Sequence, residues 1–170
     1  MTELTEYVLS MGHKKIAMIH GEDTLVTKER IQIFKEVCAK HGVQIPNEYF
    51  AQGLYHDPIT SSEATNIFLD LPDPPTCIFY PDDYSTLGGI RIINGHKLEI
   101  GKDISIVGYD GIMLTSLMIP PLTTYEQNGF EIGKTMGETL IKNIEDGENF
   151  KSQQIMITGR LLKGGSVKKI

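Results

Sequence analysis

Cysteine is scarce in this chain, long hydrophobic runs are missing, and positive charge is in short supply. The two cysteines, Cys38 and Cys77, lie far apart and form neither a Cys-x-x-Cys pair nor a Cys/His cluster. That excludes a disulfide framework and a zinc site, and both read as small buried hydrophobes in a reducing compartment. No apolar stretch approaches the length that spans a bilayer, and the first residues lack a secretory leader pattern. The expectation is a cytoplasmic chain with no membrane contact. Sixteen Lys and Arg stand against 22 Asp and Glu, for a formal net charge of −6. Gripping DNA is mainly phosphate neutralisation, so these few scattered cations argue against it; if the parent protein holds DNA, another segment does so.

Catalytic signatures are missing too. The sequence has no Gly-x-Gly-x-x-Gly, no Gly-x4-Gly-Lys-Ser/Thr, no Gly-x-Ser-x-Gly elbow and no His-Glu-x-x-His. The five histidines are dispersed, and His13, beside Gly12, reads as a loop-to-strand connector. The expectation is a protein that is not an enzyme, with no cofactor and no metal.

What is present is a regular alternation of helix and strand signals over 170 residues, a length that buries a real core as one domain. Leu4, Val8 and Met11 share one helical face, and Gly12 is a natural stop. Ile16-Ala17-Met18-Ile19 runs without polar relief, as a strand covered on both sheet faces does. Ile31, Phe34, Val37 and Cys38 recur at helical spacing between Thr27 and His41. Residues 50–55 form a short strand candidate. Thr60-Ser61-Ser62-Glu63 has the spacing of a capping box ahead of Ala64, Ile67, Phe68 and Leu71. Pro72-Asp73-Pro74-Pro75 forces a loop. Cys77 to Tyr80 is the next strand, Leu87, Ile90 and Ile93 mark a helix ending near Asn94-Gly95, and Ile104 to Val107 is a further strand. The order predicts an α/β fold, a Rossmann-like parallel sheet flanked by helices.

After Asp110 the texture changes. Ile112 to Leu122 is apolar and broken by proline, and Thr123 to Tyr125 reads as a short strand. Ile132, Met136, Leu140, Ile141 and Ile144 mark a helix closing at Gly147. Gln154 to Thr158 reads as a last strand before a basic, glycine-containing tail.

Ligands of open parallel sheets bind beyond the carboxyl ends of the strands. Those ends lead here into His20-Gly21-Glu22-Asp23, Tyr55, Asp82-Asp83 and Tyr109-Asp110-Gly111, with Arg30 in the helix after the first strand. Carboxylates accept from vicinal hydroxyls, a guanidinium fork donates to ring oxygens, and an aromatic face covers C–H groups, so the set suits a neutral, hydroxyl-rich ligand. Each residue has a plainer reading as well. Asp82 or Asp83 could equally cap the following helix, Arg30 could be a solvated helix residue, and Tyr55 could belong to the core. An acidic Mg²⁺ cluster of Asp82, Asp83 and Asp110 is a further alternative, weakened because adjacent residues after a strand point in different directions.

Several stretches resemble the lactose/galactose-repressor family. Tyr7 to Ala17 looks like its helix, Gly-His, basic pair and Ile run into the first strand. Pro75-Thr76-Cys77-Ile78-Phe79, then Asp82-Asp83 and Leu87-Gly88, resembles its Pro-Thr-Ala, Asn-Asp and Leu-Gly stretch. Ile104 to Asp110, followed by Pro120 to Thr124 and Gln127, is the most diagnostic, and the whole series keeps the family's order across nearly the full chain. Departures are Asp82 where the family often has Asn, Gly111 where a second Asp is frequent, and Gly164-Gly165 where an arginine commonly precedes the serine.

The resemblance implies one lobe of a type I periplasmic-binding-protein-like domain. Residues 1–128 would be its C-terminal lobe, 129–158 a helix and strand that cross into the N-terminal lobe, and 159–170 the closing strand and tail. Arg30, Tyr55, Asp82 and Asp110 would line an effector pocket, with Gln127 near the hinge. The effector would be a small molecule, usually a sugar or purine. The DNA-reading helix-turn-helix does not occur in this sequence, so operator DNA would be reached only through a headpiece elsewhere. The segment 112–119 and the helix face from Leu87 to Ile93 would lie toward the partner of a homodimer. The apolar stripe from Ile132 to Ile144, lacking its own lobe, is expected to be buried on this lobe or against another copy. Rival readings are a periplasmic or surface sugar-binding protein of the same fold, and a Mg²⁺-dependent α/β enzyme or receiver.

Overall fold

The computed structural model describes residues 1–170. Its elements follow in the order α1 (Thr2–Ser10), β1 (Ile16–His20), α2 (Leu25–Lys40), β2 (Phe50–Gln52), α3 (Pro58–Leu69), β3 (Cys77–Phe79) and α4 (Thr86–Gly95). Then come β4 (Ser105–Asp110), a short α5 (Leu114–Leu117), β5 (Thr123–Glu126), α6 (Gly129–Asp146) and β6 (Arg160–Leu162). The strands form one sheet in the order β2-β1-β3-β4-β5-β6. Every neighbouring pair is parallel except β5 with β6, which run antiparallel. This is the doubly wound arrangement that the alternating signals predict.

Strand alternation splits the core into two layers. Ile16, Met18, Cys77, Phe79 and Val107 face α1 and α2, where Leu4, Val8, Phe34 and Cys38 close over them. Ala17, Ile19, Ile78 and Ile106 face the other way, against Ala64, Phe68 and Ile93 of α3 and α4. Both cysteines are free and buried, and burial pushes the Cys38 thiol up to about 11. No helix is long and apolar enough to cross a membrane.

Gly12 turns the chain out of α1 with φ of 98°, a conformation that favours glycine. The next residue, His13, is fully buried. Its ring meets Thr76 Oγ1 at 2.8 Å through Nδ1, and Lys168 O and Ser105 Oγ at 3.0 Å through Nε2. One side chain thus ties the start of β1 to β3, β4 and the C-terminal tail. Ser166 reinforces the tie, accepting from Thr123 N and donating to Ile106 O.

Four sequence expectations are corrected. The helix α3 starts at Pro58, capped by Asp57, whose Oδ1 accepts from Ile59 N at 2.7 Å. Proline at the first helical position with an acidic cap outranks the Thr60 box, and Thr60 Oγ1 instead accepts from Leu54 N. The β2 strand stops at Gln52 rather than reaching Tyr55, because β1 pairs with it only as far as His20. Gln154 to Thr158 forms no strand, since no neighbouring strand supplies hydrogen-bond partners there. The helix α6 does not fold back onto the sheet either: none of its residues is buried.

Candidate functional site: the carboxyl edge of the sheet

Parallel strands deliver all their carboxyl ends to one edge, and α2 starts from that edge. Arg30, in the second turn of α2, is fixed there by three contacts. Its Nη1 donates to Pro81 O at 3.0 Å, and its guanidinium carbon lies 3.9 Å from the Tyr109 ring centroid and 5.7 Å from that of Tyr55. A guanidinium held over aromatic faces keeps its remaining N–H groups directed in the ring plane, ready for a ligand oxygen.

Tyr55 arrives from the loop after β2. Its backbone N–H donates to Glu22 Oε2 at 3.0 Å, and its hydroxyl shares a 2.9 Å hydrogen bond with Thr27 Oγ1. The ring needs the empty space above Gly21: a Cβ there would stand 2.3 Å from the ring. The glycine after β1 is therefore part of the aromatic wall.

Asp110 ends β4 with φ of 113°, and Gln127 Nε2 donates to its Oδ1 at 2.5 Å. Burial raises the Asp110 carboxyl above its ordinary value, while the Gln127 amide and the Arg30 guanidinium pull it back. Gln127 N also donates to Asp110 O, so the start of the segment leaving β5 is locked to the end of β4.

The two adjacent carboxylates have separate tasks. Asp82 is 1% exposed, and its oxygens accept from Ser85 N, Ser85 Oγ and His56 N, each at 2.8 Å. It thereby organises the turn into α4 and holds the Tyr55-His56 loop. Asp83, wholly buried, accepts from Thr124 Oγ1 at 2.5 Å and Ile112 N at 2.9 Å, bridging β5 and the segment after β4. Burial raises its carboxyl to about 6 in spite of those donors. The pair bonds in different directions, and no group of three or more His, Cys, Asp or Glu side chains is placed to hold a metal ion.

Arg30, Tyr55, Asp110 and Gln127 therefore share one edge, with Asp82 buried behind them. Sequence reasoning named Tyr109 only as part of a strand end, missing its role as the platform under Arg30, and passed over His56. His56 has φ of 56° and an exposed ring whose Nδ1 stands 3.6 Å from Asp82 Oδ1. Only its position directly after Tyr55 could have pointed to it. The recess beneath Arg30 and Tyr55 measures merely about 10 Å³, so the edge is an open wall rather than a closed pocket. A groove of about 620 Å³ lies elsewhere, between α6 and residues 150–157, and its lining carries no charge. At the wall, by contrast, a guanidinium donor, a carboxylate acceptor and an aromatic ring converge.

The periplasmic binding protein-like domain matches residues 5–167, almost the entire chain. The chain belongs to that family. It is 30% identical over 169 residues to the HTH-type transcriptional repressor CytR of Escherichia coli strain K12, covering 99% of this chain and 49% of that one. A putative transcriptional regulator LacI from Bacillus cereus subsp. cytotoxis superposes with a TM-score of 0.93 at 28% identity, over 99% of this chain and 60% of that one. A LacI family transcriptional regulator from Enterococcus faecium, with bound ribose, gives 0.87 at 25%, over 99% and 62%. These relatives are transcriptional repressors and regulators rather than enzymes. The chain spans about half the length of the curated relatives it matches.

Proposed function

We propose that the chain is the C-terminal lobe of an effector-sensing domain in a sugar-responsive repressor. The observation that carries this reading is the shared wall of Arg30, Tyr55, Asp110 and Gln127 at the carboxyl edge of the sheet. Such a wall donates through a guanidinium, accepts through a carboxylate and offers an aromatic face, a combination suited to a small polyhydroxylated ring. The ribose in the Enterococcus faecium neighbour supports that ligand class. Asp82 serves from behind, by fixing the loop that presents Tyr55. The edge is open because a second lobe would supply the opposite wall.

In this reading residues 1–128 and 159–170 build the lobe, and 129–158 is the crossover that reaches into the other one. The effector would bias the arrangement of the two lobes by the difference in its affinity for each arrangement. Operator DNA would be held by a headpiece outside this chain, in a cytoplasmic homodimer. The exposed apolar side chains Met113, Leu117 and Ile119 support a partner-facing role for the 112–119 segment.

The test is a titration of the ¹⁵N-labelled chain with D-ribose, followed by amide shifts. Millimolar binding with perturbations at Gly21, Tyr55, His56, Asp110 and Gln127, lost in Arg30→Ala, is the expected result. Perturbations confined to other surfaces, or a tight calorimetric isotherm from this half-site alone, would overturn the reading. A salt-sensitive mobility shift of operator DNA by the isolated chain would contradict the assignment of DNA binding to another segment.

A further inference from the structure

His56 sits beside Tyr55 in a conformation that the core does not require. Its φ of 56° lies in the left-handed region, which a side chain other than glycine or asparagine enters at a cost. The chain is anchored on both sides of it: Tyr55 N donates to Glu22 Oε2, and the Asp57 carboxylate caps α3. The ring itself packs in neither core layer, and the side chain is 71% exposed. Strain spent on presenting an exposed polar ring is a mark of recognition rather than of folding.

One buried carboxylate grips this residue twice. Asp82 Oδ2 accepts from His56 N at 2.8 Å, and Asp82 Oδ1 stands 3.6 Å from Nδ1 of the same ring. Two further donors, Ser85 N and Ser85 Oγ, fix the carboxylate in place. With that acceptor beside Nδ1, the neutral ring keeps its hydrogen there, and Nε2 carries a bare lone pair. Nε2 makes no hydrogen bond within the chain, and since Nδ1 is turned to the buried acid, Nε2 is left toward solvent. The ring also shares the space of the wall. Besides burial, the Gln127 amide and the Arg30 guanidinium, the Asp110 carboxyl responds to the charges of Asp82 and His56.

We propose that His56 is a ligand-reading residue of the carboxyl edge and that Asp82 is its positioning residue. Nε2 accepts a hydrogen bond from a ligand hydroxyl beside Tyr55, and Asp82 acts through the imidazole by deciding which nitrogen is bare. A ligand with an ether or carbonyl oxygen at that place finds no donor there and is disfavoured. The Asp at 82, where the resembling family often has Asn, thereby serves recognition at one remove, through a histidine. This inference rests on the reading of the edge as an effector wall.

Long-range ¹H–¹⁵N correlation spectra of the chain at about pH 8.5, where an ordinary imidazole is neutral, show which ring nitrogen holds the hydrogen. His56 should carry it on Nδ1, and Asp82→Asn should shift it toward Nε2. A wild-type ring with its hydrogen on Nε2 overturns the proposal whatever sugar binds. Titrations with D-ribose, followed by amide shifts, form the second arm. His56→Asn suits the left-handed backbone but ends short of the Nε2 position, and it should weaken binding about 5-fold, the worth of one neutral hydrogen bond. His56→Gln, whose side-chain oxygen reaches that position, should recover most of the loss. Asp82→Asn should weaken binding to a similar extent in the wild type and add nothing in His56→Asn. Losses that multiply would give Asp82 a role of its own and overturn its assignment. Ribose binding abolished by Arg30→Ala yet untouched by His56→Asn keeps the effector wall and overturns the proposal. A wild-type chain that binds no ribose removes the wall, and the proposal with it.

Discussion

The guanidinium of Arg30 stacks on Tyr109 at 3.9 Å while its Nη1 donates to Pro81 O, so one side chain from α2 bridges the ends of β3 and β4. The contact is structural before it is functional. Arg30→Leu should cost about 1–2 kcal/mol, from the lost stacking and hydrogen bond. For a chain of this size that is a fall of roughly 3–6 °C in Tm, readable by differential scanning calorimetry. Arg30→Lys should recover less than half, because an ammonium neither stacks nor forks in the same way.

Gly21 and Tyr55 form a matched pair. Gly21→Ala should destabilise by about 1–3 kcal/mol, since its Cβ must displace a ring that is itself tied to Thr27. In the double variant Gly21→Ala/Tyr55→Ala the clash no longer exists. The two costs should therefore fail to add, and urea denaturation of the four proteins gives the coupling directly. Strict additivity would show that the ring does not occupy the space above Gly21.

Asp83 makes stability depend on pH with a defined sign. Its folded carboxyl, at about 6, lies above the ordinary value of 3.8. The folded state therefore holds a proton that the unfolded chain has already released. The contribution is complete below about pH 4 and is lost as pH rises through 6, to a limit of roughly 3 kcal/mol. Asp83→Asn should flatten the stability profile between pH 4 and 7 in denaturant melts. An unchanged slope would assign the titration to another group.

His13 acts in the opposite sense. Burial lowers its ring below the ordinary histidine value, against the pull of the Lys168 carbonyl. Its Nε2 lies 3.0 Å from Lys168 O and its Nδ1 2.8 Å from the Thr76 hydroxyl, which itself donates to Lys15 O. Its contribution is present above the unfolded value, near 6.5, and is lost as pH falls through the lower folded one. Truncation by His13→Ala should cost about 2–4 kcal/mol and speed amide exchange in the tail from Ser166 to Ile170.

The legible parts of the fold were those where one strong local pattern faced no competitor. Ile16 to Ile19 is an unbroken apolar run between a helix stop and an acidic loop, and β1 is its result. Phe34, Val37 and Cys38 could belong only to a helix face, and all three are buried on α2. Thr60 misled because two capping signals lay within three residues of each other and proline decided between them. Gln154 to Thr158 misled for a different reason: composition sets the preference for a strand, whereas a strand exists only beside another. At the edge of the sheet, strand ends located Arg30, Tyr55 and Asp110 correctly as neighbours. The capping alternative for Asp82 anticipated its bonds to Ser85 at the turn into α4, whereas its bond to His56 N was not readable, since that depends on a loop distant in sequence.

The tail held by His13 finishes beside the end of α1, where Ile170 N donates to Met11 O. That corner belongs to the amino ends of the strands, a full strand length from Arg30 and Asp110. A fluorophore or affinity handle joined after Ile170 would therefore hang from the rear of the molecule, leaving the ligand-facing wall unshaded. One attached at Met1, which borders the recess under Arg30, would sit in its mouth.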